Sequence, residues 1–258
     1  MQAYKRTPSH GIAWVAQGFA LWKRNPALVT YLTFGYLLML VVINTIPFIG
    51  QVIAALVMPA VSLGVLNGLL AVHEKRKVGP DVLFSGFKSD IHALVTVGGL
   101  YLIGSLLALA ASAIADGGIL LQILTGFRAP DEDTMNAPGL FTAALITVAL
   151  TTPLMMAYWF APMLVGWQKV SAPKAMFFSL VACWRNWPAF FLYSMGIFFV
   201  VIGAPSLLVA VIATASPTLA SLLAIPLPLV AIPIVFATFL PNALDIFGHD
   251  IPGHEVAA

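Results

Sequence analysis

Four stretches of the chain contain no Asp, Glu, Lys or Arg: 25–73 (49 residues), 91–115 (25), 134–168 (35) and 186–244 (59). A membrane-crossing helix takes about 20 apolar residues, so these stretches hold two, one, one and two crossings. The pattern predicts six helices near 27–45, 51–72, 91–114, 140–166, 188–213 and 218–244. Runs such as LTFGYLLMLVV are apolar throughout. They lack the in-out alternation of a membrane β-barrel strand.

Shorter, two-sided patterns lie between the long runs. Before Trp22, the residues Ile12, Val15, Phe19 and Trp22 share one helical face, and His10, Gln17 and Arg24 take the other. Before Trp184, Phe177, Leu180, Val181 and Trp184 form a similar stripe, with Lys174 and Arg185 away from it. A weaker third copy in GPDVLFSGFKSD places Leu83, Phe84, Phe87 and Ile91 opposite Asp81, Ser85 and Ser89. Such helices suit the membrane interface, where Trp22, Lys23, Arg24, Phe87, Lys88, Trp184 and Arg185 would anchor at headgroup depth.

Two phrases echo each other. WKRNPALVTY begins at Trp22 and WRNWPAFFLY at Trp184, each with proline at the start of a crossing helix, a position where its missing N–H costs nothing. The second, fourth and sixth spans each carry a proline towards the same end: Pro59, Pro162 and Pro241. The expected architecture is therefore all-α: six transmembrane helices plus three interfacial amphipathic helices, in a threefold parallel repeat. The repeat units run over about 10–75, 80–170 and 171–247, within one integral membrane domain spanning 1–258. Copies in the same orientation imply a pseudo-symmetry axis along the membrane normal. Between the third and fourth spans, GGILLQILTGF reads as a short surface helix and APDEDTMNAP as an acidic, turn-rich loop.

Composition supports lipid as the main solvent: 60% of residues are hydrophobic and 9% charged, against roughly a quarter charged in soluble domains. The net charge of +2 matters less than its placement. Eleven of the twelve Lys and Arg residues fall on one side of the predicted spans. Arg128 alone falls on the other, beside Asp131, Glu132 and Asp133. The positive-inside rule then puts both termini in the cytoplasm. Lys23 and Arg24 interrupt the first apolar sequence, so no cleavable signal peptide is expected. Cys183 is the single cysteine and allows no intrachain disulfide.

Candidate chemistry is sparse. GxSxG, HExxH, CxxC and GxxxxGK are all missing, and the expectation is a non-enzymatic protein without cofactor or metal. His249, Asp250, His254 and Glu255 read as a polar tail rather than a metal site. The basic run after His73 reads as a topology signal and anionic headgroup contact, not a nucleic-acid site. Pro226, Pro228, Pro233 and Pro241 crowd the last span, where they either kink a packed helix or open a path. Asn44, Asn67, Asn242 and Asp245 lie near span ends, which suggests capping and hydration. A lipid enzyme would need such groups, with a histidine, in one pocket. Gly64 with Gly68, and Gly104 with Ala108 and Ser112, have the spacing of close helix packing.

The phrases ALWKRNP, IPFIGQ, MPAVSLG, LFSGF and WFAPMLVGWQKVSAPKAMFFSLVACWRNW resemble an uncharacterised family of six-span proteobacterial inner-membrane proteins. Positions 158–193 are also similar to the membrane domain attached to some bacterial glycerophosphodiester phosphodiesterases. The first resemblance implies an inner-membrane location, and neither carries over a catalytic residue. The reading that follows is an inner-membrane protein that binds lipid or a membrane protein partner. The alternative is a permease or flippase for a neutral or lipidic solute.

Overall fold

The computed structural model describes residues 3–47 and 49–248, and among these no strand forms. The chain enters with α1 (His10–Arg24), which stops at Asn25 because the residue before a proline is pushed out of the helical region. Asn25 then caps α2 (Pro26–Asn44), its side chain accepting from the Leu28 N–H at 3.1 Å. α3 (Ile49–His73) runs on to a 3₁₀ segment, Pro80–Lys88, and α4 (Ile91–Asp116) follows. α4 ends at Gly117, whose positive φ of 66° suits a residue without a Cβ.

The loop beyond α4 carries two short helices, α5 (Ile119–Leu124) and α6 (Glu132–Met135). The fourth crossing is split into α7 (Leu140–Trp159) and α8 (Ala161–Gln168), and α9 (Ala172–Arg185) leads to the fifth. That crossing comprises α10 (Trp187–Gly196), a π-helical stretch at Ile197–Gly203 and α11 (Ala204–Ala215). The sixth consists of α12 (Pro217–Ala224), α13 (Leu227–Ala237) and α14 (Phe239–Phe247).

Among the described residues six helical segments are long and apolar enough to cross a membrane: Pro26–Asn44, Ile49–His73, Ile91–Asp116, Leu140–Gln168, Trp187–Ala215 and Pro217–Phe247. They match the six predicted spans to within a few residues at each end. The chain ends share a face, since the Tyr4 N–H donates to the Ile246 carbonyl at 2.9 Å.

The three short helices pack mainly on spans other than their own. α1 packs against α10, α13 and α14; the 3₁₀ segment packs against α3 and α2; α9 packs against α7. Each therefore docks on spans of the preceding unit, and α1 closes the circle on the last. They bury small residues alongside a few large ones. On α1 the buried face is Gly11, Trp14, Val15, Gly18 and Leu21, whereas Ile12 and Phe19 of the expected stripe are exposed. On α9 the buried residues include Ala172, Ala175, Ser179 and Ala182, while Trp184 is 68% exposed. Hydrocarbon solvates large apolar side chains as well as protein does, so helices associate through close backbone approach instead. Gly64 and Gly86 show this: a Cβ on either would overlap a backbone carbonyl, of Leu83 or Ala60 respectively.

The fourth span breaks for an identifiable reason. Ser179 of α9 inserts its hydroxyl into the helix ladder, accepting from the Phe160 N–H at 2.9 Å and donating to the Met156 carbonyl at 2.6 Å. A side chain in the ladder is a standard cause of a kink. Pro162, which has no N–H to donate, follows immediately.

Candidate functional site

A cavity of about 640 Å³ lies between the first, second, third, fourth and sixth spans. Along α3 it is lined from Gln51 to Leu66, about 22 Å of helix at 1.5 Å per residue. That is some two-thirds of a hydrocarbon core of about 30 Å. Asn44 and Gln51, both exposed, stand at the end remote from the chain termini. Asn242 and Met163 belong to the other end.

The walls are mostly apolar, supplied by Ala54, Met58, Val65, Leu102 and Val235 among others. Among the described residues no Asp, Glu, Lys, Arg or His lines the space. Besides Asn44, Gln51 and Ser105, polar atoms enter in two groups. Midway, Tyr36 and Tyr158 flank Ser62, with the Tyr101 ring centred 4.9 Å from that of Tyr158. At the inner end are Trp159 and Asn242. Asn242 is 1% exposed, and its amide nitrogen and oxygen have no protein partner; nor does the buried Trp159 indole nitrogen. The breaks in the fourth and sixth spans place these two residues: Trp159 ends α7 where Ser179 opens the ladder, and Asn242 follows the break at Thr238. The Tyr193 hydroxyl lies 2.6 Å from Thr238 Oγ1, which donates to the Val235 carbonyl at 2.5 Å.

α14 divides this cavity from a second cleft of about 590 Å³ on the face of the chain ends. Asn242 and Ala243 line the first; Pro241, Leu244 and Asp245 line the second, with His10, Gln17, Arg24 and His73. Asp245 is the hub of the cleft. Its carboxylate meets Arg6 Nε at 2.9 Å, His10 Nδ1 at 2.7 Å and the Trp14 indole N–H at 2.9 Å. The Arg6 N–H donates to Asn186 Oδ1 at 2.7 Å, and Asn186 Nδ2 donates to the Tyr4 carbonyl at 3.0 Å. These groups fix the N-terminal segment across α10 and α14.

The four polar residues near span ends thus have separate roles. Asn44 donates to the Leu40 carbonyl of its own helix at 2.8 Å. Asn67 accepts from the Trp167 indole at 2.7 Å and donates to Ser85 at 2.8 Å, joining the second span to the fourth and to the 3₁₀ segment. Asn242 lines the cavity, and Asp245 organises a charge network. Among the described residues Asn242 lines the cavity, Asp245 lines the cleft with His10 and His73, and Asn67 lines neither, so these two spaces do not unite the three with a histidine.

Among the interfacial anchors, Trp22 is half-buried and stacks on Phe19, whose ring also lies 4.3 Å from Lys23 Nζ. Arg24 donates to the His73 carbonyl at 3.1 Å. Phe87, Lys88, Trp184 and Arg185 are exposed. Of the last-span prolines, Pro226 and Pro228 are exposed and line neither space. Pro233 is buried inside α13, and Pro241 lines the cleft. The cavity uses Val235, Phe236 and Phe239 between Pro233 and Pro241, and Asn242 and Ala243 just beyond Pro241. His249, Asp250, His254 and Glu255 lie outside the described residues. In the acidic loop Asp131 caps α6, and hydrogen bonds from the Thr134 side chain and backbone hold its carboxyl below the ordinary value.

A probable inner membrane protein of Burkholderia thailandensis is 34% identical to the chain over 260 residues, covering 98% of the chain and 96% of that protein. The chain belongs to this family. With six apolar helices of spanning length, it is an integral inner-membrane protein. No protein-family model matches the chain, and no solved structure does.

Proposed function

We propose that this non-enzymatic inner-membrane protein holds an uncharged lipidic molecule in its central cavity. The observation that carries the reading is the cavity itself: large enough for a small-molecule site, mostly apolar in its walls, lined by no described Asp, Glu, Lys, Arg or His, and furnished with a few polar groups. In the bilayer, the face bearing the chain ends is cytoplasmic, because it collects nearly all the Lys and Arg. Trp22, Lys23, Arg24, Phe87, Lys88, Trp184 and Arg185 anchor that face at headgroup depth and offer contacts to anionic lipids or a membrane protein partner. The circular docking of α1, the 3₁₀ segment and α9 supports a threefold parallel repeat around the cavity. The likeness of 158–193 to a membrane domain attached to phosphodiesterases of lipid-derived substrates agrees with a lipid setting, since residues 158–163 frame the cavity.

The test is extraction of the protein purified in mild detergent, followed by lipid mass spectrometry. A stoichiometric uncharged lipid is expected from the wild type and not from Ala54→Phe, which fills the cavity from its second-span wall. Identical extracts from both would overturn the reading.

A second reading, a permease or flippase for such a solute, is favoured by one observation: the cavity reaches from exposed Asn44 and Gln51 to Asn242, beside the segmented sixth span. Flux of a neutral lipid analogue through reconstituted vesicles, lost in Ala54→Phe, would support it; retention of a lipid without flux would exclude it.

A further inference from the structure

Asn242 and Trp159 leave three hydrogen-bonding needs at the inner end of the cavity: an indole N–H donor, an amide N–H₂ donor and an amide oxygen acceptor, none with a protein partner. The two residues are neighbours there. Phe239, one turn before Asn242, has its ring centred 4.8 Å from the Trp159 ring. A buried amide without partners is costly, and the surrounding helices do not relieve it. Asn242 is 1% exposed, and Val235, Phe236 and Ala243 of its own span offer no side-chain polar atom.

The needs define a head group. An acceptor oxygen satisfies the indole and amide N–H groups, and a hydroxyl satisfies the amide oxygen. A charged head group is disfavoured, because no Asp, Glu, Lys, Arg or His lines the cavity to compensate it. The Asp245 cleft presents no comparable demand, its carboxylate already being held by Arg6, His10 and Trp14. Resting on the reading of the cavity as a lipid site, we infer that Asn242 and Trp159 form the head-group anchor for an uncharged lipid with an ester carbonyl and a free hydroxyl, the chemistry of an acylglycerol. Its acyl chain lies along Ala54, Met58 and Val235, and its carbonyl and hydroxyl meet the indole and the amide after these side chains, whose polar atoms have almost no accessible surface, turn towards it.

Three probes with one eighteen-carbon chain separate the head group from the tail: monooleoylglycerol, octadecene and oleate. They are offered at equal mole fraction in mixed micelles, and occupancy is read by native mass spectrometry. Monooleoylglycerol is expected to occupy the wild type at least tenfold above octadecene and above oleate, since a site built to hydrogen-bond rejects analogues that lack the group. Asn242→Leu should reduce monooleoylglycerol to the octadecene level while octadecene itself still binds, which also shows that the variant is folded. Trp159→Phe should give a smaller loss in the same direction. Equal occupancy by all three probes in the wild type, or a preference that survives both substitutions, would overturn the head-group assignment and leave the lipid site standing. Failure of every probe to bind would overturn the lipid site as well.

Discussion

The Trp14 indole donates its N–H to the Asp245 carboxylate at 2.9 Å, across 231 residues of sequence. Trp14 is 0% exposed, so its donor needs a partner inside the protein. The same carboxylate accepts from His10 and pairs with Arg6. One side chain of the last span therefore gathers Arg6, His10 and Trp14, tying the segment before α1 and the buried face of α1 to α14. Asp245→Ala is expected to cost about 1–3 kcal/mol, the penalty for orphaning a buried donor. Unfolding in a denaturing-detergent titration would measure it. Trp14→Phe in the same chain should recover part of the loss, because the two effects share one hydrogen bond.

Glycine substitutions should separate backbone from side-chain contacts. A Cβ on Gly64 would overlap the Leu83 carbonyl, whereas one on Gly104 would meet the end of the Leu154 side chain at 2.8 Å. Gly64→Ala is expected to destabilise by about 1–3 kcal/mol or more, and Gly104→Ala by well under that, because a leucine tip can move. Thermal aggregation of the purified variants, compared side by side, gives the ranking.

Ser179→Ala removes the hydroxyl that bridges Phe160 and Met156. About 1–3 kcal/mol of stability should be lost if the backbone groups stay unpaired. If they re-pair directly, the fourth span straightens, Trp159 moves and retained lipid falls. A variant with wild-type stability and wild-type lipid content would remove Ser179 from the account.

Cys183 sits on the buried face of α9, its Sγ 3.5 Å from the Met156 carbonyl. Burial pushes its thiol from 9.0 up to about 12. The folded state therefore keeps a proton that the unfolded state loses above pH 9. The contribution of Cys183 to stability should be constant below that pH and decline as pH rises from about 9 to about 12. At pH 8 the native protein should resist maleimide, whereas the unfolded chain should react fully.

Orientation can be read from reporter fusions. A fusion at Asp131 should report the periplasmic side and one at Lys77 the cytoplasmic side, following the distribution of Lys and Arg. Equal cytoplasmic signals from both would contradict the assigned sidedness.

The spans were legible because length and absence of charge suffice to define them: 91–114 was expected and Ile91–Asp116 is found. The inward face of each short helix was not. Periodicity marks where the large apolar residues are, as with Phe177 and Trp184, but lipid and protein compete equally for them. The small residues Ala175, Ser179 and Ala182 decide the packing. Pro162 was visible as a weak point in the fourth span, yet the hydroxyl that opens it comes from Ser179 on another helix. Asn242 and Asp245 are three residues apart and face different spaces, a distinction set by partners such as Arg6, 239 residues away. The cavity belongs to five spans at once, so no local pattern announces it.

The most direct test of the cavity is an electron cryomicroscopy map of the chain in lipid nanodiscs at side-chain resolution. Six crossings with both ends on one face are expected, along with elongated density beside Asn242 bounded by Tyr36, Met58 and Trp159. A collapsed bundle, with Tyr36, Tyr158 and Phe239 meeting across its centre and Asn242 bonded to protein, would contradict the account.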